Sequence, residues 1–391
     1  MLWKHYIFRR GAEVEDMWDR MYIEKKKRDS PVRLLYISGR GFDVRAQIVM
    51  SKFVKSLQAS GCKIEKAELL LVGFSGIQLS DELSTKTEEN AAALEFLFKD
   101  LGIARTIVVG RPTDGEEEDD ISANNALRLG TEEVIGCISN HTDIVLDASS
   151  LPRIVYLSLM LGLLHKLLPE KDGKIDLSAA GVNFQVLVGE DAKLDSQIRS
   201  EDPSNELVLI PGYSQALQAE FMQDWPLVWF PVLGENRAVQ LQKIGLTIPA
   251  FAEICPVLPH PSRNPRRGDE LLVEYKMQLF DTLQTPLTNV LHAHESHPFE
   301  AYRQLLGAMK RYQESMSVVG GCRLVVTPLA SKLITLGTAL ACFEMKQFCG
   351  KKDYSVAIPY AEPTRYVATT HALMTSEPEI SAMILTGEAY I

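Results

Sequence analysis

The sequence predicts an α/β fold with a largely parallel sheet, or two such sheets, crossed by helices and arranged in two halves. Two observations carry this expectation. From Arg33 onward, short β-rich apolar runs alternate with amphipathic stretches at helical spacing, the pattern of strands buried on both faces and joined by crossover helices. The chain is also long enough at 391 residues, and apolar enough at 46% hydrophobic, to enclose two cores or one wide sheet.

In the first half the strands fall at RLLYIS (33–38), AELLLVG (67–73), RTIVVG (105–110), DIVLDA (143–148) and FQVLVG (184–189). Helices fill the gaps at Arg45–Ala59, Glu88–Leu101, Ala123–Asn140 and Ile154–Leu168, and PTDGEEEDDI (112–121) reads as a solvated acidic loop. The second half repeats the rhythm without repeating the sequence. Its strands are LVLIP (207–211), LVWFPVL (227–233), FAEICPVL (251–258), RLVVTP (323–328) and YSVAIPY (354–360), with helices at Glu235–Ile244, Asp269–Asp281, Pro298–Met316 and Ser331–Phe348. Residues 1–31, mixed and charged, read as an N-terminal arm or helix rather than core; 32–200 and 206–391 read as the two halves, parted at the polar stretch SEDPSNE (200–206).

A net charge of −10 argues against broad binding to DNA or anionic membranes, although a local basic loop leaves nucleic acid open. No apolar run reaches the roughly 18 residues of a membrane span, and MLWKHYIFRR lacks the apolar core of a signal peptide. Six scattered cysteines without a CxxC read as reduced thiols, which implies a cytoplasmic protein.

In open α/β sheets ligands bind beyond the carboxyl ends of the strands, so those ends hold the candidate site. The first is Gly39-Arg40-Gly41-Phe42-Asp43-Val44-Arg45, where two glycines permit a tight turn and the following helix offers free N–H groups to an anion. Asp43 suits an N-cap or a ribose hydroxyl. The third glycine of GxGxxG is missing. The fourth strand ends in Asp147, Ser149, Ser150 and Arg153, a set that fits a phosphate or a simple helix cap. In the second half Thr327, Ser331 and Lys332 stand at a helix start, where a cation opposes the helix dipole unless it faces an anion. Tyr360 and Arg365 end the last strand, offering a ring for a base and a guanidinium for phosphate. Arg263, Arg266 and Arg267, in a proline-rich loop of an acidic chain, need anionic neighbours and read as a salt-bridged surface loop or as an anion contact.

Other chemistries find little support. HAHESH (292–297) suggests metal ligands, yet there is no HExxH and no second cluster, so it reads as a polar strand-to-helix junction and no metal is expected. Neither GxxxxGK[ST] nor GxSxG occurs.

The run GRGFDVRA resembles the first motif of S-adenosylmethionine-dependent methyltransferases of the leucine-carboxyl type, and the resemblance implies a cofactor whose methionine end lies over this loop. Such enzymes carry an acid at the end of the second strand for the ribose; here that strand ends Gly73-Phe74-Ser75. Taken together, GRGFD, DASSLPR, NPRRGDELLVEY and TPLASKLITLGTALA resemble uncharacterised Rossmann-like proteins of bacterial anti-phage defence operons. That resemblance implies a nucleotide-like ligand, a bacterial cytoplasmic setting and a protein partner in a multi-gene system, but no catalytic residues. Three functions follow: a nucleotide-type ligand-binding component of a defence complex, an S-adenosylmethionine-dependent methyltransferase, or a non-catalytic Rossmann-like scaffold.

Overall fold

The computed structural model describes residues 1–110, 122–169, 174–348 and 356–391, so the acidic loop expected at 112–121 lies outside the described residues. The chain opens with β1 (Ile7–Arg10) and α1 (Ala12–Lys27). Strands and helices then alternate: β2 (Val32–Gly39), α2 (Arg45–Ser60), β3 (Ile64–Phe74), α3 (Asp81–Phe98), β4 (Ile103–Val109), α4 (Ala123–Gly136), β5 (Asp143–Asp147), α5 (Arg153–Leu167), β6 (Asn183–Glu190), α6 (Ala192–Gln197) and β7 (Arg199–Pro203). The next stretch carries β8 (Val208–Leu209), α7 (Gln215–Gln218), β9 (Leu227–Val232), α8 (Ala238–Gly245), β10 (Glu253–Ile254), β11 (Val257–Pro259), α9 (Arg267–Glu274), β12 (Leu291–Ala293), α10 (Pro298–Ser315), β13 (Arg323–Pro328), α11 (Lys332–Phe348), β14 (Val356–Ala357) and β15 (Pro359–Tyr360). The chain closes with β16 (Pro363–Val367), α12 (Thr370–Met374) and β17 (Glu379–Thr386).

Two compact units result. A host unit comprises Leu2–Asp202 and Pro363–Ile391; Pro203–Glu362, together with Met1, forms a unit inserted into it. The host sheet runs β1-β17-β6-β5-β2-β3-β4 and the inserted sheet β12-β11-β9-β13-β14, with β10 beside β9. Each is wound twice from one strand. From β2 the chain moves outward to β3 and β4, then crosses to the other side of β2 as β5 and β6; from β9 it moves to β11 and β12, then crosses as β13 and β14. All these pairings are parallel. At the far end of the host sheet β17 and β1 pair antiparallel, and in the inserted unit β15 pairs antiparallel with β8.

Several boundaries differ from expectation, each for a physical reason. Residues 1–31 do carry a helix, but it belongs to the core rather than to an arm outside it. Val14, Trp18 and Tyr22 stand on one face of α1 and are fully buried; the Trp18 ring meets Phe53 edge-on at 5.2 Å and its indole N–H donates to Gln185 Oε1 at 2.9 Å. Burial of Val14 contributes roughly 1.5–3 kcal/mol. The second half does not run to 391, because β17 returns to β6 of the host sheet. The helix expected from Glu88 begins seven residues earlier, at Asp81, because the Ser80 hydroxyl caps it by accepting from the Leu83 N–H at 3.3 Å. FAEICPVL breaks into β10 and β11 at Pro256, which has no N–H for the ladder. Of YSVAIPY, the described residues divide between β14 on β13 and β15 on β8. The helix read at Asp269–Asp281 is α9 followed by a π-turn at Met277–Thr282.

Among the described residues no helix is long and apolar enough to cross a membrane, and the five described cysteines are free thiols.

Candidate functional site

The point where a doubly wound sheet reverses direction leaves a crevice between two adjacent strand ends. In the host unit those strands are β2 and β5, which brings Gly39–Arg45 beside Asp147–Arg153. The two loops pack closely against each other here. A Cβ on Gly39 would lie 2.7 Å from Ser150 Oγ and 2.9 Å from Ser150 C, and one on Gly41 would lie 3.2 Å from Ser150 O. The glycines thus give room to the neighbouring loop, and Ser150 Oγ donates to the Gly39 carbonyl at 3.0 Å. Asp147 is fully buried and accepts from Tyr36 Oη at 3.1 Å and from the Ser149 N–H at 2.9 Å. Ser149 is equally buried, its Oγ accepting from the Gly189 N–H at 2.8 Å.

Asp43 precedes α2, and its Oδ1 accepts from the Arg45 N–H at the start of that helix at 3.1 Å, the bond of a helix cap. It holds the Arg45 Nε with both carboxylate oxygens, at 2.9 and 3.0 Å, while Arg45 Nη1 reaches Asp195 at 2.7 Å. Burial works against the Arg45 charge, but the two carboxylates outweigh it and hold its pKa above the ordinary value. Arg40 is tied to Glu88 at 2.6 Å. Arg153 begins α5 behind Pro152 and is partly buried.

In the inserted unit the reversal lies between β9 and β13, and the same device recurs. A Cβ on Gly234 would lie 2.4 Å from Leu329 O and 3.0 Å from Ala330 Cα. The cross-strand bond recurs as well. Trp229 Nε1 donates to the fully buried Thr327 Oγ1 at 2.9 Å, with Thr327 opposite Pro231, two residues on from Trp229. In the host, Asp147 stands opposite Ser38, two residues on from Tyr36. The two units therefore close their crossover strands with a hydrogen bond at the same place, built from different residues.

The inserted unit differs at its other strand ends. The loops after β9, β11, β12 and β13 meet around Glu295. The Arg267 guanidinium binds both Glu295 and Glu235, reaching Glu235 Oε2 at 2.7 Å through Nη2. The Arg263 N–H donates to Glu295 Oε2 at 2.7 Å, and Ser331 Oγ donates to the Glu295 carbonyl at 3.4 Å. Lys332 follows as the first residue of α11. Burial alone would raise the Glu235 pKa, but the Arg267 hydrogen bond and charge prevail and lower it. Beside this cluster lies an open depression of about 240 Å³ lined by Pro261, Ser262, Arg263, His294, Glu295 and Ser296. It is smaller than the roughly 300–1,000 Å³ that encloses a drug-sized ligand. Arg263 and Arg266 are exposed next to it.

The structure thus brings Arg263, Arg267, Ser331 and Lys332 to one edge of one unit. Thr327 is buried below them. Tyr360 is 2% exposed, with its hydroxyl 3.5 Å from Gln240 Nε2, and Arg365 is exposed in the host unit on β16. Tyr360 and Arg365 therefore belong to different units. HAHESH holds the end of β12 and the start of α10, with His297 capping α10 and the rings of His260 and His292 5.5 Å apart. Among the described residues no three His, Cys, Asp or Glu side chains are grouped to hold a metal. Sequence reasoning placed Glu235 at a helix start without its arginine partner, and it missed the role of Glu295. Glu295 was masked by the histidines around it, and the need of three arginines for carboxylate partners was the one available signal.

Comparison of the chain with protein-family models and with curated proteins finds no match.

Proposed function

We propose that the chain is a non-catalytic Rossmann-like protein whose inserted unit binds the anionic group of a nucleotide-type ligand, as a component of a bacterial defence complex. The convergence of Arg263, Arg267 and the Ser331-Lys332 helix start on Glu295, next to the depression, is the observation that supports it. Ion pairing with two carboxylates fixes the Arg267 guanidinium, so the loop is pre-organised and loses less entropy on binding. Arg263 and Arg266 then offer planar donors to a phosphate. The methyltransferase reading draws less support, because Ser150 fills the room beside Gly39 and Asp43 is engaged by Arg45. The defence setting and its protein partners rest on the sequence resemblance.

The test is a thermal-shift panel of ATP, GTP, NAD, S-adenosylmethionine and cyclic oligonucleotides. A ligand at 100 times its Kd stabilises the native state by about 2.7 kcal/mol. We expect a shift with one or more nucleotides, lost in Arg263→Ala/Arg266→Ala, which leaves Arg267 in place. A shift with S-adenosylmethionine alone would return the protein to the methyltransferase reading. No shift with any of them would leave a scaffold.

A further inference from the structure

We infer that β4 is a dimerisation edge, at which a second copy of this chain adds its own β4 antiparallel and joins the two host sheets into one. Sheet edges are usually blunted by shortness, charge or cover. Two other edges conform: β1 has four residues and carries Arg9 and Arg10, and β12 has three residues. The seven-residue β4 does not, and among the described residues no strand pairs with its outer side.

The Val109 carbonyl accepts from the Ser75 N–H at 2.9 Å and so faces β3. Backbone groups alternate along a strand, so the N–H and C=O groups of Ala104, Thr106 and Val108 face outward. The side chains of these three residues share one face and are exposed, Val108 at 54%, whereas Ile107 and Val109 on the other face are buried. Ile103, 66% exposed, begins the same edge. Arg105, the strand's one charge, lies on the Ile107 face, 3.5 Å from Glu68.

The edge is complementary to itself, which is why a second copy fits it. A two-fold axis through Thr106 sets Thr106 against its counterpart and Ala104 against Val108 in both directions. Every outward backbone group then has a partner, and no exposed charge of β4 enters the shared face. Hydroxyl-on-hydroxyl and apolar-on-apolar pairs are the favourable cross-strand combinations.

The full chain should sediment as a monomer–dimer equilibrium. Thr106→Lys puts two like charges on the axis, and Thr106→Pro removes an outward N–H without touching the ladder to β3. Each should raise the dimer dissociation constant by about tenfold or more, with circular dichroism unchanged. Val318→Lys, at a 94% exposed apolar residue of the inserted unit, should leave it unaltered. For the unmodified chain, amide exchange at Ala104, Thr106 and Val108 should slow as concentration rises, a readout that needs no variant. A wild-type chain that stays monomeric up to its solubility limit overturns the inference. So do Thr106 variants that fold and dimerise like wild type, or exchange at these amides that is independent of concentration.

Discussion

Replacing Gly234 with alanine tests whether the crossover crevice of the inserted unit is closed by its own chain. The added Cβ would stand 2.4 Å from Leu329 O, where ordinary contact begins near 3.4 Å, and 3.1 Å from Leu329 C. Relief requires the β13–α11 connection to retreat by about 1 Å, the shortfall between those two distances. The obstacles are backbone atoms, so no side chain can rotate away, and α11 behind them is buried along Leu333–Met345. Overpacking of this kind costs about 1–3 kcal/mol. In a unit of this size that lowers Tm by roughly 3–10 °C. Urea unfolding followed by tryptophan fluorescence gives the difference directly. Gly136→Ala is the control: it ends α4, nothing lies within 4 Å of its added Cβ, and a helical alanine should be neutral or stabilise by up to about 1 kcal/mol. If Gly234→Ala is as stable as wild type, the two loops are not packed as described and the crevice is open.

Two further outcomes follow from the site. Thr327→Val keeps the shape of the side chain but strands the buried Trp229 indole N–H, now 2.9 Å from its acceptor, and should cost about 1–3 kcal/mol in the same urea assay; no measurable loss would show that the bond is unimportant. Glu235 has its folded pKa below the ordinary 4.5, so its ion pair with Arg267 stabilises the protein fully above that value and less as pH falls through the folded pKa. The urea midpoint of Arg267→Gln should therefore approach that of wild type between pH 5 and pH 3, values on either side of the ordinary carboxylate range, and a constant gap across it would contradict the pairing.

Strands buried on both faces were legible: β2, β5, β9 and β13 each appear as a continuous apolar run of the kind that only the middle of a parallel sheet demands. What escaped were elements defined by distant partners. β1 is four residues long, and β17 reaches its place only by pairing with β6, nearly two hundred residues earlier. The three arginines of the candidate site were visible, but which carboxylates they meet was not. Glu235 and Glu295 lie 32 and 28 residues from Arg267 and meet it only because parallel strands deliver successive loops to one edge. The glycines of GRGFD illustrate a deeper ambiguity. A residue without a side chain admits a ligand or a neighbouring loop equally well, and here Ser150 takes the space.

The insertion also bears on how the molecule is made. β7 and β16, which bracket the inserted unit, lie side by side, and Thr364 Oγ1 donates to the Asp202 carbonyl at 2.9 Å. On the ribosome most of the host unit precedes the inserted one, yet β6 cannot be paired on its outer side until β17, which ends at Thr386, has emerged. The inserted unit is complete at Glu362 and is free to fold before that moment. Order of synthesis and order of completion are therefore reversed, and the nascent host spends the intervening interval with the edge of β6 unsealed, exposed to other strands and to whatever chaperones attend them.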